Sequence, residues 1–339
     1  MDVTSEIKSG NRNQMVDVLR ALAAFVVVFI HTPEASSDYS IHLFWLRFFP
    51  PANAIFAVLA GWFMVQSLER RSSRSSTTLG SDKHTGSQSF LKDRSHRILI
   101  PYLVWSVIYV CANCIEKAIR GKPFIYDFTS VSCWGGLVFG GGASAQLWFL
   151  VFLLYGQCCF YIWYLSARNI KWFGVMTFLM ALVFSIGHLF VEPSSFLKKF
   201  LFMLKYLFWG SSMLLYGKVL LVRYQRMFFF CSVLGICLHI ACVCLNTASP
   251  ITEFLPILYV CAAFSFPHVT VPKWLSNMGT ASMGIYVVHS LVIALGTLVF
   301  SKISFLNGGH IALLCLTMVY FLISYGVVLV LRKTRLPGV

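Results

Sequence analysis

Three residues in the stretch VDVLRALAAFVVVFIHT (16–32) are costly in an apolar setting: Asp17, Arg20 and His31. The ten residues between Arg20 and His31 are all Ala, Leu, Val, Phe or Ile. Read as a helix, this spacing brings Arg20 and His31 onto one face, roughly 16 Å apart along the axis. Asp17 precedes Arg20 by one turn and is placed to pair with it. An isolated charge at the centre of a bilayer costs at least ~2.5–3.5 kcal/mol, so such side chains turn toward a bundle interior or a watery cavity. A guanidinium offers a planar fork for anions, and an imidazole offers a base that titrates near neutral pH. Two plainer readings compete with chemistry. Arg20 can snorkel to a surface beside Asp17, and His31 can be an interfacial side chain.

The element that carries these residues belongs to a membrane chain. Of 339 residues, 58% are hydrophobic and only 12% charged, against about 25% charged in soluble domains. No polar stretch exceeds about 30 residues, which is too short for a separate soluble domain. A net charge of +15 would suggest nucleic acid as the partner of a soluble chain. Here cationic loops on one membrane face explain it, and no nucleic-acid partner is expected. The eleven cysteines lie almost wholly in apolar runs and read as small hydrophobes. No zinc-type spacing accompanies Cys111 and Cys114, so no metal is expected.

Apolar runs long enough for helices recur at 16–32, 48–68, 98–115, 147–165, 173–190, 200–221, 227–245, 252–268, 281–300 and 310–331. The expectation is an all-α, polytopic integral membrane protein with about ten transmembrane helices. With the N-terminus inside, seventeen Lys and Arg fall on inner segments and seven on outer ones. That bias places both termini in the cytoplasm. The domain reading is a cytoplasmic tail (1–15), a transmembrane domain (16–331) and a second cytoplasmic tail (332–339). The first fifteen residues lack the apolar core of a cleavable signal, so the first span is expected to direct insertion. The 69–97 loop is basic, Ser-rich and cytoplasmic. The segment 131–146 is Gly-rich yet apolar, and reads either as a re-entrant or lid-like outer segment or as a slack connection.

VDVLRALAAFVVVFIH resembles the N-terminal helix of the membrane acyltransferase-3 family, marked by an Arg, ten residues and a His. Further pieces match in order. DRSHRILIPYLVWS (93–106) is similar to the family's third span, whose Arg-x-x-Arg pair is Arg94 and Arg97 here. AQLWFLVFLLYG (145–156) resembles its Leu-Trp-Phe span, and MGIYVVHSLV (283–292) its late Tyr-x-x-His helix. LAGWF (59–63) departs from the Ser-Gly-Tyr of many members, which leaves Trp62 without a role.

The resemblance implies an O-acyltransferase. Its donor would be cytoplasmic acyl-CoA, usually acetyl-CoA, and its acceptor a hydroxyl of a cell-surface polysaccharide or lipid-linked glycan. The setting implied is a bacterial inner membrane, with membrane lipids as the remaining partners. Some members carry a fused extracellular hydrolase-like domain, whereas here the membrane part is expected to suffice. Arg94 and Arg97, with Lys92 beside them, would hold the phosphates of the donor, although positive-inside anchoring explains them too. Trp148 would line the donor's path or simply pack. His31 becomes the general base for the acceptor hydroxyl, or a transient covalent carrier of the acyl group. Arg20, with Asp17, would stabilise the donor or a developing oxyanion. His289 joins the site, and Tyr286 is spaced to orient it. His188 and His239 read as core or cavity residues, Lys205 and Lys218 as snorkelling cations, and Glu34 and Asp38 as loop acids.

The rival reading is a transporter or flippase that uses Arg20, His31 and His289 as an intramembrane polar pathway. No internal repeat supports it. The sequence also contains no phosphate-binding P-loop, no H-E-x-x-H and no G-x-S-x-G.

Overall fold

A computed structural model describes residues 13–32, 40–49, 51–77, 90, 92–119, 121, 135–136, 144–168, 171–192, 196–216, 223–247, 249, 251–266, 269–300 and 309–334. Regular structure among them is wholly helical: α1 Gln14–His31, α2 Ser40–Phe48, α3 Ala52–Thr77, α4 Ile100–Ile119, α5 Trp148–Ala167 and α6 Phe173–Leu189. The chain continues with α7 Phe196–Leu215, α8 Gln225–Cys244, α9 Leu255–Phe264, α10 Lys273–Thr280, α11 Ser282–Phe300 and α12 Gly309–Leu331.

Each of the ten expected segments contains a helix, but the lengths differ from expectation. Among the described residues, six helical stretches are long and apolar enough to cross a membrane, and a seventh counts if α10 and α11, bent by 74° at their junction, form one span. α6 and α9 are shorter, and α7 carries Lys198, Lys199 and Lys205. Helix α2 was not expected, and α3 runs on to Thr77, well into the loop that begins at 69. Most of 131–146 lies outside the described residues, as do 78–89, Glu34, Asp38 and Lys218.

Local chemistry sets the ends of α1. Asn13 caps it, its Oδ1 accepting from the Met15 N–H at 3.0 Å. Pro33 disfavours helical geometry at Thr32, which is extended at φ −69° and ψ 120°. His31 therefore stands in the last turn of the helix. Thr32 Oγ donates back to the Val28 carbonyl at 2.9 Å and accepts from the Thr317 hydroxyl of α12 at 3.3 Å.

The bundle has two packing centres. α1 is one, touching α3, α9, α10, α11 and α12. α7 is the other, lying between α3 and α6 and also against α5. A Cβ on Gly61 would stand 2.0 Å from the Leu207 carbonyl oxygen, and one on Gly210 would stand 1.9 Å from that of Val58. α3 and α7 thus meet backbone to backbone through reciprocal glycines, the small-residue contact that joins helices in lipid.

Helix ends sort onto two faces. Asn13 Nδ2 donates to the Ala263 carbonyl at 3.3 Å and the Gln14 amide accepts from Val271 N–H at 2.7 Å, so α1 begins beside the end of α9 and the start of α10. This is the near face. On the far face, Arg47 donates to Asn246 Oδ1 at 2.6 Å, and Lys199 lies 5.8 Å from the centre of the Trp148 ring.

Candidate active site

His31 and His289, from opposite ends of the chain, come together with ring centres 5.1 Å apart and planes tilted by 39°. His31 is exposed at the far end of α1, whereas His289 is fully buried on α11. The Nδ1 of His289 lies 2.7 Å from the Tyr286 carbonyl oxygen. A carbonyl only accepts, so Nδ1 carries the hydrogen and Nε2 keeps its lone pair. The Ser290 hydroxyl stands 3.3 Å from that Nε2.

Tyr286 orients His289 as its spacing suggested, but through its backbone. Its hydroxyl is committed elsewhere, donating to the Gln146 carbonyl just before α5. Tyr109 of α4 donates to the neighbouring Val287 carbonyl at 2.8 Å. The Tyr286 ring packs on Phe149 at 5.4 Å and on Phe56 at 6.5 Å. Side chains from α3, α4 and α5 thereby fix the turn of α11 that presents His289. The Gln146 side chain is buried at 4% exposure, and its Nε2 has no hydrogen-bond partner.

Asp17 sits at the other end of α1 and is 2% exposed. It has a partner the sequence did not suggest: Ser276 of α10 donates to Oδ2 at 2.9 Å. A Cβ on Gly279 would fall 2.0 Å from the Asp17 carbonyl oxygen, so α10 lies directly on this turn. Arg20 is half-buried one turn further along.

The paired arginines do not share one environment. Residues Ser95–Leu99 form a π-helical turn. Pro101 accounts for it, because it lacks the N–H that would bond to the Arg97 carbonyl, and its ring crowds that oxygen. Arg94 points inward, half-buried, with its guanidinium 5.1 Å from the Phe90 ring centre and 3.4 Å from Gln157 Oε1 on α5. Its Nε is buried without a hydrogen-bond partner. Arg97 and Lys92 are exposed. Gln157 is 2% exposed and was missed; the signal available was one strong hydrogen-bonding side chain amid the apolar run of α5. Phe90 stacks on Tyr161 at 4.2 Å, closing the back of the Arg94 pocket.

Trp148 is not brought to Arg94. It stands at the far end of α5 among Phe149, Phe152 and Phe202, under Lys199. Trp62 stacks on Phe264 at 4.1 Å and packs. Lys205 does not snorkel: it is buried and paired with Glu253, to whose carbonyl oxygen Tyr206 also donates at 3.0 Å. His188 and His239 are buried, as core or cavity residues would be. The ten cysteines described form no disulfide, and no group of three or more His, Cys, Asp or Glu gathers at metal-binding distance among the described residues.

An all-helical membrane bundle with a histidine pair at one face and an inward arginine between two helices defines a class: integral membrane proteins with a polar site inside the bundle. The chain belongs to the acyltransferase-3 family, matching its acyltransferase domain over residues 13–332. No curated protein and no solved structure matches it.

Proposed function

We propose that this acyltransferase moves an acyl group, acetyl in the simplest case, from cytoplasmic acyl-CoA to a hydroxyl of a cell-surface or lipid-linked glycan. The observation that carries the reading is the His31–His289 pair: two separate motifs converge on one site, with one ring exposed to the far face and the other held from behind. The near face is the cytoplasm, the ten helical segments each cross or insert in the membrane, and both termini lie inside. A bacterial inner membrane suits this arrangement.

In the reaction, His31 takes the proton of the acceptor hydroxyl as its oxygen attacks the thioester carbon. The C–S bond breaks, and the CoA thiolate leaves with the proton that the imidazole returns. General-base help of this kind contributes about 10²–10⁴-fold. His289 is the positioning residue, packed on His31 with its tautomer set by the Tyr286 carbonyl. Arg94 holds the donor's phosphates through the guanidinium nitrogens that Gln157 does not occupy, and Arg97 and Lys92 add positive potential at the surface. Arg20, with Asp17 behind it, supports the donor along α1.

The test is transfer of labelled acetyl from acetyl-CoA to a glycan extract by protein reconstituted in liposomes, beside His31→Ala and His289→Ala. Label in glycan with the unaltered protein, and none with His31→Ala, supports the reading. Solute movement across the bilayer without release of free CoA would replace it with a transporter.

A further inference from the structure

At the far face lies a half-open cavity of about 730 Å³. That is within the ~300–1,000 Å³ of ordinary small-molecule sites. Val26 and Ile30 of α1 form one wall, so the cavity abuts the helix that carries His31, one residue beyond Ile30 and about 100° round the axis. The other walls combine the apolar Leu46, Phe49, Pro51 and Val243 with Arg47, His239, Asn246, Thr247, Ser249 and Thr252, so that a mixed lining carries cationic, amide and hydroxyl groups and no Asp or Glu.

Arg47 is held at both ends. His239 Nε2 lies 2.7 Å from the Arg47 backbone carbonyl, which fixes the end of α2 against α8. Asn246 Oδ1 accepts from the guanidinium at 2.6 Å. Asn246 itself has a positive φ of 54°, a conformation asparagine tolerates better than most residues. One guanidinium nitrogen is thus occupied by a neutral amide, and no carboxylate pairs with Arg47 among the described residues. An exposed guanidinium held by Asn246, with donors to spare and the hydroxyls of Thr247, Ser249 and Thr252 left as acceptors in the same lining, matches a hydroxyl-bearing ligand that carries an anion.

We infer that this cavity binds the acceptor, and that the acceptor is an acidic saccharide whose carboxylate or phosphate group engages Arg47. The inference rests on the acyl-transfer reading for its purpose, but its test does not. Binding of cellobiouronic acid, cellobiose and cellobiose 1-phosphate to the detergent-solubilised protein is measured by calorimetry with no donor present. At least one acidic sugar is expected to bind about tenfold more tightly than cellobiose, as a charged hydrogen bond would supply. The preferred acid tells carboxylate from phosphate. Arg47→Gln should abolish the preference, and Arg47→Lys, which keeps the charge and loses the fork, should keep part of it, with unchanged melting temperatures showing that both variants fold. Equal binding of charged and neutral sugars, or a preference that survives Arg47→Gln, overturns the inference. A protein that binds the acid through Arg47 yet never releases CoA keeps the site and loses the transfer reading. One that transfers acyl groups while binding all three sugars alike keeps transfer and loses the site.

Discussion

At the scale of residues, the two halves of the site make separable claims. His31→Ala should lower turnover by about 100-fold or more while leaving the donor's KM unchanged, because it removes the base and not the donor pocket. His289→Asn should fold, since an amide N–H can still reach the Tyr286 carbonyl, yet lose turnover to a similar degree. Steady-state kinetics on both variants, with melting curves, decides this. Arg94→Lys should raise the donor's KM about tenfold, as a fork becomes a point charge at a half-buried site. Arg97→Lys, at an exposed position, should change it by no more than about twofold. Equal effects of the two would mean that both arginines grip the donor alike. Arg20 and His31 stood out in the sequence because charge or imidazole in an apolar run is expensive, whereas Arg94, Arg97 and His289 stood out through their resemblance to family motifs. The sequence could not show that His31 meets His289, since no local periodicity links helices from opposite ends of a chain. Nor could it separate Arg94 from Arg97, because the π-turn at Ser95–Leu99 decides which of them turns inward.

At the scale of elements, membrane helices are joined by what lets them approach. Gly61→Ala or Gly210→Ala drives a methyl into a backbone carbonyl that has no rotamer to escape by. Each should cost about 3 kcal/mol or more, at or beyond the upper range for overpacking, and the double variant should be scarcely worse than either single, since one separation of α3 and α7 relieves both clashes. Thermal unfolding followed by tryptophan fluorescence measures it. The Lys205–Glu253 tie between α7 and the turn before α9 makes an opposite-signed claim. Glu253→Gln strands a buried ammonium and should cost about 1–3 kcal/mol, less than a fully buried pair because Glu253 is half exposed. Adding Lys205→Met should recover part of that loss, and a double variant less stable than Glu253→Gln alone would show the pair to be a true stabiliser. Lys205 read as a snorkelling cation because its partner sits 48 residues away in a proline-flanked turn. α2 was hidden for another reason: SIHLFWLRF runs straight toward the next apolar segment, and only Pro50 and Pro51 part them.

At the scale of the whole molecule, the proposed donor site at Arg94 lies beside α5 toward the near face, and His31 is exposed at the far face. In sealed vesicles with the near face outward, acetyl-CoA added outside should acylate glycan trapped inside, and glycan added outside should stay unlabelled. Label on the outer glycan would place both substrates on one side and end the across-membrane reading. Membrane class and helix positions were legible from hydropathy alone, because every backbone group must be satisfied within lipid. The crossing count was less so, since α6, α9 and the bent α10–α11 pair are set by packing as well as by length. That bend has a further effect. By turning 74° at Ala281, the chain lays α10 across the near end of α1 and shuts Asp17 beneath it. Above Arg20, α1 offers ten side chains without a single hydrogen-bonding group. This helix by itself therefore carries no file of proton carriers between Arg20 and His31, and any polar path between its two ends must be built by its neighbours.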